Sequence, residues 1–247
     1  IYETKGELDK ALDYFQQSLN IFRELGLREG EANALGSIGI IYQTKGDLDK
    51  ALVYHQQALK INREIGRKEG EASQLGNIGI IYQTKGDLDK ALVYHQQALK
   101  INREIGRKEG EASQLGNIGI IYRKKGDLDK AHEIFDQVLK TEREIGRRWG
   151  EANALGNIGI IYGTKGELDK ALDYHQQSLK IEKEIGRKEG EASLLVNIGI
   201  VYHDKGEPDK ALEHLRQALK IFEEIGAKLE IEKVKRNIQL IDTGTYE

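Results

Sequence analysis

The sequence contains no cysteine and no methionine, and it has a single proline and a single tryptophan in 247 residues. Without cysteine there can be no disulfide, no thiolate metal site and no thiol nucleophile. With one proline, almost nothing interrupts a helix. No run of about 18 apolar residues occurs, and no basic, apolar, small-residue pattern opens the chain, so neither a membrane span nor a secretory leader is expected. A surplus of charge is also missing: 38 Lys and Arg stand against 41 Asp and Glu, a net charge of -3. That balance removes the broad positive field needed to grip a phosphate backbone, so nucleic acid is not expected as a partner. A cytoplasmic location is the expectation.

What the sequence does have is charge in both signs, 32% of residues, and a period. Shifting the chain by 40 residues superimposes Gly46, Gly86, Gly126, Gly166 and Gly206, and likewise Ala51, Ala91, Ala131, Ala171 and Ala211. Residues 41–80 are identical to 81–120, which marks recent duplication or deliberate construction. A residue can therefore recur because it was copied. The opening pair Ile1-Tyr2 matches the repeat interior at Ile41-Tyr42, as expected of an excised fragment.

Within one unit, Ala72, Leu75, Ile78, Ile81 and Tyr82 fall at spacings of three and four, which predicts a first helix over Glu71 to Lys85. Gly86 should end it in the left-handed conformation, and Asp87 should cap a second helix. The second helix carries an apolar stripe of Leu88, Ala91, Leu92, Tyr94, Ala98, Leu99, Ile101 and Ile105, and Gly106 closes it. The polar connection Arg107 to Gly110 is short, so the next helix must return antiparallel. Each helix pair buries its apolar faces only by stacking on its neighbours, giving an all-α curved solenoid. Two glycines lie inside the first helix. Gly79, opposite small Ala91, should let two backbones approach, whereas Gly76 could leave room beside Asn77 for a bound backbone.

Asn77-Ile78-Gly79-Ile80-Ile81-Tyr82, followed by Gly86, Ala91, Tyr94 and Ala98-Leu99, resembles the signature of the tetratricopeptide repeat family. The longer unit, with its Leu75-Gly76-Asn77 entry, is similar to the 40-residue subclass found in kinesin light chains and in adaptors with Leu-Gly-Asn repeats. The resemblance implies a right-handed superhelical solenoid of antiparallel helix pairs. It divides the chain into a truncated first repeat at 1–29, mainly its second helix, then five repeats at 30–69, 70–109, 110–149, 150–189 and 190–228. A capping helix at 229–242 and a loose tail at 243–247 complete the plan.

The resemblance also implies a concave surface lined by first helices, with Asn77, Asn117, Asn157 and Asn197 bonding the backbone of an extended peptide. An Asn side chain offers both a donor and an acceptor, which is what an unpaired peptide backbone lacks. Ser37 departs from that pattern. The lysine that a two-carboxylate clamp would need one turn earlier is replaced by Asn33, Ser73, Ser113, Asn153 and Ser193, which argues against capture of a free C-terminal carboxylate. On the same face Gln83-Thr84 gives way to Arg123-Lys124, then Gly163-Thr164 and His203-Asp204. Gln83 is thus a candidate contact, and the basic pair Arg123 and Lys124 could attract an acidic segment.

Trp149 replaces the glutamate of Glu69, Glu109 and Glu189 on an expected connection between repeats, either as an interface anchor or packed on a neighbouring helix. His55, His95 and His175 come one per repeat, too far apart for a common metal, since packed helices lie roughly 8 to 10 Å apart. They read as partly buried side chains where Phe15 and Phe135 stand elsewhere. No catalytic constellation, phosphate loop or cofactor motif is visible. The expected function is a scaffold or adaptor that binds a peptide or protein. The alternatives are a self-assembling array, with homo-association through the N-terminal second helix at about 8–25, and a regulatory or sensor part of a larger protein.

Overall fold

The computed structural model describes residues 2–243, which form twelve α-helices. Of the tail expected at 243–247, Thr243 is instead the last residue of the final helix, and 244–247 lie outside the described residues. The chain divides into two compact units, Ile1–Ile121 and Tyr122–Glu247. The first holds α1 (Tyr2–Glu24), α2 (Arg28–Thr44), α3 (Leu48–Glu64), α4 (Lys68–Thr84), α5 (Leu88–Glu104) and most of α6 (Lys108–Lys124). The second begins in the last turn of α6 and continues with α7 (Leu128–Glu144), α8 (Arg148–Thr164), α9 (Leu168–Glu184), α10 (Lys188–Asp204), α11 (Pro208–Ile225) and α12 (Lys228–Thr243).

The turns follow from the sequence. Gly86 has φ +82°, a conformation that costs a residue with a Cβ about 1 kcal/mol or more. Its N–H donates to Gln83 O at 3.2 Å while Asp87 N–H reaches back to Tyr82 O at 2.9 Å, so the last carbonyls of α4 are satisfied. The Asp87 side chain then accepts from Lys90 N at 3.1 Å and starts α5. Glycines in this conformation recur at every twentieth residue from Gly26 to Gly226. Gly6 is the exception: α1 runs through it unbroken from Tyr2, so residues 2–5 do not form a separate first helix. A turn at that glycine is selected only when two helices pack across it.

First helices start earlier than their apolar spacing predicts. α4 begins at Lys68 and α6 at Lys108, so the expected connection from Arg107 to Gly110 is mostly a first helical turn. Gly70 is a packing residue here, because the Asn62 side chain of α3 occupies the place where a Cβ would stand. Asn62 Nδ2 donates to Ala58 O at 2.8 Å, and Arg63 Nε donates to Glu71 Oε1 at 2.8 Å, pinning the incoming helix to the outgoing one. The glycines within α4 also have other neighbours than the sequence suggests. The nearest neighbour of Gly79 is the His95 ring, 2.7 Å from where its Cβ would be, while at the equivalent Gly199 the backbone oxygen of Ala211 stands 3.1 Å away on the same measure. Gly76 faces Gln114 Nε2 at 3.1 Å on the same measure, so its space is filled by the protein.

Each unit is cored by both helices of a pair. In the first, Leu75 and Ile78 of α4 pack with Leu59, Ala98 and Ile101. In the second, Ala152 and Leu155 of α8 pack with Ile181, and Val234 of α12 packs with Leu215 and Phe222 of α11. Stacked tyrosines, Tyr82 on Tyr94 and Tyr162 on Tyr174 with ring centroids 5.4 Å apart, clamp each first helix to its second. Lysines at helix ends reach aspartates 36 residues earlier, Lys85 to Asp49 and Lys165 to Asp129. These exposed pairs fix register more than they add stability.

Candidate functional site

One pair of positions, 19 residues apart, decides what fills the inside of each repeat. In the first unit it holds His55 with Gln74 and His95 with Gln114, Nδ1 and Oε1 at 2.8 Å in both cases. Burial pushes both imidazoles below their ordinary pKa, against the opposing pull of the glutamine. In the second unit the same positions hold Phe135 and Ala154, both buried, a large residue exchanged with a small one. They then hold His175 and Leu194, and leucine offers no acceptor. His175 buries Nδ1 without a partner against Gly159, as His55 and His95 bury Nε2 against Gly39 and Gly79, but with no glutamine to pull the other way desolvation takes its ring down to about 4.

Leu194 and His175 each border a cavity in the second unit. A cavity of about 280 Å³ lies among α8, α9 and α10, lined by Asn153, Gly156, Asn157, Ile160, Ser178, Glu182, Arg187, Glu189, Gly190, Ser193 and Asn197. Leu194 stands 3.5 Å from where a Gly156 Cβ would be, looser than Gln114 beside Gly76. A second cavity of about 300 Å³ shares Ile160 and Asn197 with the first and adds Gly163, Thr164, His175, Ile200, Val201 and Asp204. Gly163 has no side chain where Gln83 and Arg123 have long ones. Ile200 continues into a third cavity of about 150 Å³ with His203, Leu215, Asn237, Leu240 and Ile241. Shared lining residues place these three cavities side by side along α8, α10 and α12, and together they are termed the groove.

The sequence-predicted residues divide by unit. Asn157 and Asn197 come together on this groove, both half-buried. Asn157 Nδ2 donates to Asn153 O at 2.9 Å in its own helix. Asn77, Asn117 and Gln83 are half-buried on α4 and α6 of the first unit and are not among the residues lining the cavities described. Arg123 is half-buried with Nε unpaired, and burial lowers its guanidinium from the ordinary value, while Lys124 is exposed. Neither lines the cavities described.

Trp149 lies in the first turn of α8 and not on a connection, and it is 43% exposed. Arg147 and Arg187 place their guanidinium carbons 5.7 and 5.3 Å from its ring centroid. At the corresponding place in the first unit Arg67 pairs with Glu29 and Arg107 with Glu69, each at 3.2 Å. A cation–π contact thus replaces an ion pair.

Glu182, Ser178 and Arg187 are the groove residues that apolar spacing and the repeat signature miss, because they belong to the second helix and its exit. For two of them the signal is a break in the period: Glu142 and Glu182 stand where Asn62 and Asn102 do, and Ser178 where Ala58 and Ala98 do, whereas Arg187 repeats Arg67, Arg107 and Arg147. Ser178 donates to Ala152 O at 2.7 Å. Glu182 is 2% exposed, and burial raises its pKa above the usual carboxylate value while Arg187 pulls the other way.

Among the described residues, no group of three or more His, Asp or Glu is arranged to hold a metal, and no helix is long and apolar enough to cross a membrane.

A family model described as tetratricopeptide repeat matches residues 1–64, 71–144 and 150–224. No curated protein sequence matches the chain. Among solved structures it is similar to BtubC (BKLC) from P. vanneervenii, with 20% identity, 89% of this chain and 92% of that one covered, and a TM-score of 0.77. It is similar to the apo form of the quorum sensor NprR from B. thuringiensis, with 16% identity, 94% and 66% covered, and a TM-score of 0.73. A Rap protein complexed with Competence and Sporulation Factor is also similar, with 16% identity, 98% and 72% covered, and a TM-score of 0.69. At these identities the likeness shows a shared helical fold.

Proposed function

The chain belongs to the tetratricopeptide repeat family, and on that premise we propose that its second unit holds an extended peptide segment of a partner protein in the groove along α8, α10 and α12. The supporting observation is a row of three neighbouring cavities, the first two sharing Ile160 and Asn197 and the last two Ile200, polar at the α8 end and apolar toward α12. Asn157 and Asn197 supply backbone hydrogen bonds there, and Ile160, Ile200 and Leu240 receive apolar side chains. The neighbour complexed with Competence and Sporulation Factor supports ligand binding by this fold class. The test is selection of peptides from a random synthetic array by the whole chain. Peptides retained by the wild type should be lost by the double variant Asn157→Ala, Asn197→Ala with helicity unchanged, and equal retention by both proteins refutes the groove.

A second reading, self-association, is favoured by the apolar side chains exposed on and just after α1: Phe15, Ile21, Leu25 and Leu27. Such a surface is larger than isolated apolar residues explain. Light scattering across a wide concentration range should show growth in mass that Ile21→Lys abolishes; a constant monomer mass removes this reading.

A further inference from the structure

The cavity at the α8 end of the groove contains a carboxylate that the fold does not finish pairing. Glu182 is buried from the exit of α9, and Arg187 Nη1 donates to its Oε1 at 3.2 Å. Its Oε2 is buried without any hydrogen-bond partner and lies against the Cα of Gly190, which has no side chain to displace it. The same position one repeat earlier shows what completion looks like: Arg147 holds both oxygens of Glu142, with Nε to Oε2 at 2.7 Å and Nη2 to Oε1. At Asn62 and Asn102 the side chain donates to its own helix, and its Oδ1 is likewise buried without a partner against Gly70 and Gly110. The charge on Glu182 makes the missing donor costlier than at those neutral amides, because an ion removed from water needs every partner it can find.

The surroundings fix the sign of what would complete it. Exposed Glu189 joins Glu182 among the lining residues, so the cavity wall carries two carboxylates and one guanidinium, and that guanidinium is also engaged over the face of Trp149. The remaining wall is amide, hydroxyl and glycine: Asn153, Asn157, Ser193, Gly156 and Gly190. The volume of about 280 Å³ is open to the groove and is large enough for the end of one long side chain.

We propose that this cavity is a cation-recognition pocket in which Glu182 Oε2 accepts a hydrogen bond from the Arg or Lys side chain of a bound peptide, with Glu189 at the rim. This rests on the groove reading above and gives it a chemistry opposite to the acidic partner that Arg123 and Lys124 suggest. The cation enters beside Arg187 because its charge is offset by two carboxylates, and a guanidinium or ammonium supplies the N–H that the fold withholds.

Two measurements on the whole chain test it. In the first, n-butylguanidinium and its neutral counterpart n-butylurea are titrated separately while the 13C carboxyl resonance of Glu182, assigned by its absence in Glu182→Gln, is followed. A saturable shift with the cation and none with the urea is expected. An unmoved resonance, or equal response to both, overturns the pocket even where Asn157 and Asn197 still retain peptides. In the second, N-acetylated peptides selected by the wild type should share a Lys or Arg, and replacing it by Gln should weaken binding by about tenfold or more. Glu182→Gln, and Glu182→Asn, which copies the residue at Asn62 and Asn102, should erase that tenfold difference while remaining helical. Selected peptides without a basic residue, or an undiminished difference in both variants, refute the inference and leave the groove itself standing. An array that yields no peptide refutes both.

Discussion

The two units are built on one plan and filled differently. Residues 41–80 and 81–120 of the first unit are identical, and its inner positions are occupied: His55 with Gln74, His95 with Gln114, and Gln114 against Gly76. The second unit changes both members of one such pair, to Phe135 and Ala154, and one member of the next, to Leu194 beside His175. Leu194 leaves His175 without its acceptor, Gly163 removes a side chain, and Glu182 brings charge where Asn62 and Asn102 bring an amide. The difference teaches that in a copied array the repeated residues describe how a unit packs, whereas a specific site is written in the departures.

The largest effect that tests this contrast is on acid stability. His175 has an unfolded pKa near 6.5 and a folded value of about 4, so the unfolded chain binds more protons between those limits. Stability is full above pH 6.5 and is lost as pH falls toward 4, by about 3 kcal/mol from this residue. Urea unfolding of the second unit, read from Trp149 fluorescence, should show that slope. The pair His175→Phe, Leu194→Ala, which copies Phe135 and Ala154, should remove it; an unchanged slope would mean that His175 titrates normally.

Next in size is the cost of a methyl group at equivalent glycines. A Cβ at Gly79 would stand 2.7 Å from the His95 ring, which Gln114 holds in place, and one at Gly159 would stand 2.7 Å from the His175 ring, which nothing holds and which borders a cavity of about 300 Å³. Gly79→Ala should therefore cost about 2 kcal/mol, near the middle of the range for overpacking, and Gly159→Ala less than half of that. Equal losses in calorimetry would show that the two interiors are equally rigid.

Much of this was legible in the sequence. Period, helix pairs, the Gly86 turn, the Asp87 cap and the buried histidines all follow from local chemistry, since each depends on residues within one turn or one repeat. What escaped depends on partners brought together by packing. Gly70 and Gly110 look like loop residues until Asn62 and Asn102 are seen to need their missing Cβ. Trp149 looks like a connector until Arg187 is found over its ring. The groove was half visible: Asn157 and Asn197 were marked by the repeat signature, but the cavity beside them arises from residues 178, 182, 187 and 194 acting jointly.

A smaller effect should come from returning the missing acceptor. Leu194→Gln restores the residue found at Gln74 and Gln114 and should hydrogen-bond the His175 ring, a gain of about 1 kcal/mol offset by the apolar contact that leucine loses. Net stability should hardly move, but the imidazole pKa should rise toward that of His95, and NMR titration of the ring separates the two outcomes. A ring that still titrates at about 4 would place the cause in burial alone.

The smallest effect is expected at Trp149. Trp149→Glu rebuilds the arrangement in which Arg67 meets Glu29 and Arg107 meets Glu69 at 3.2 Å, exchanging a half-exposed cation–π contact for a half-exposed ion pair. Both interactions are worth roughly 0.5 to 1 kcal/mol at such sites, so the unfolding midpoint should barely shift. The informative readout is Glu182. An added carboxylate competes for Arg187, whose guanidinium then has less to give Glu182 Oε1, and the Glu182 carboxyl should titrate higher in the variant than in the wild type. A carboxyl that titrates unchanged would show that the aromatic ring and the new carboxylate hold Arg187 equally, and that the departure at position 149 serves packing independently of the cavity below it.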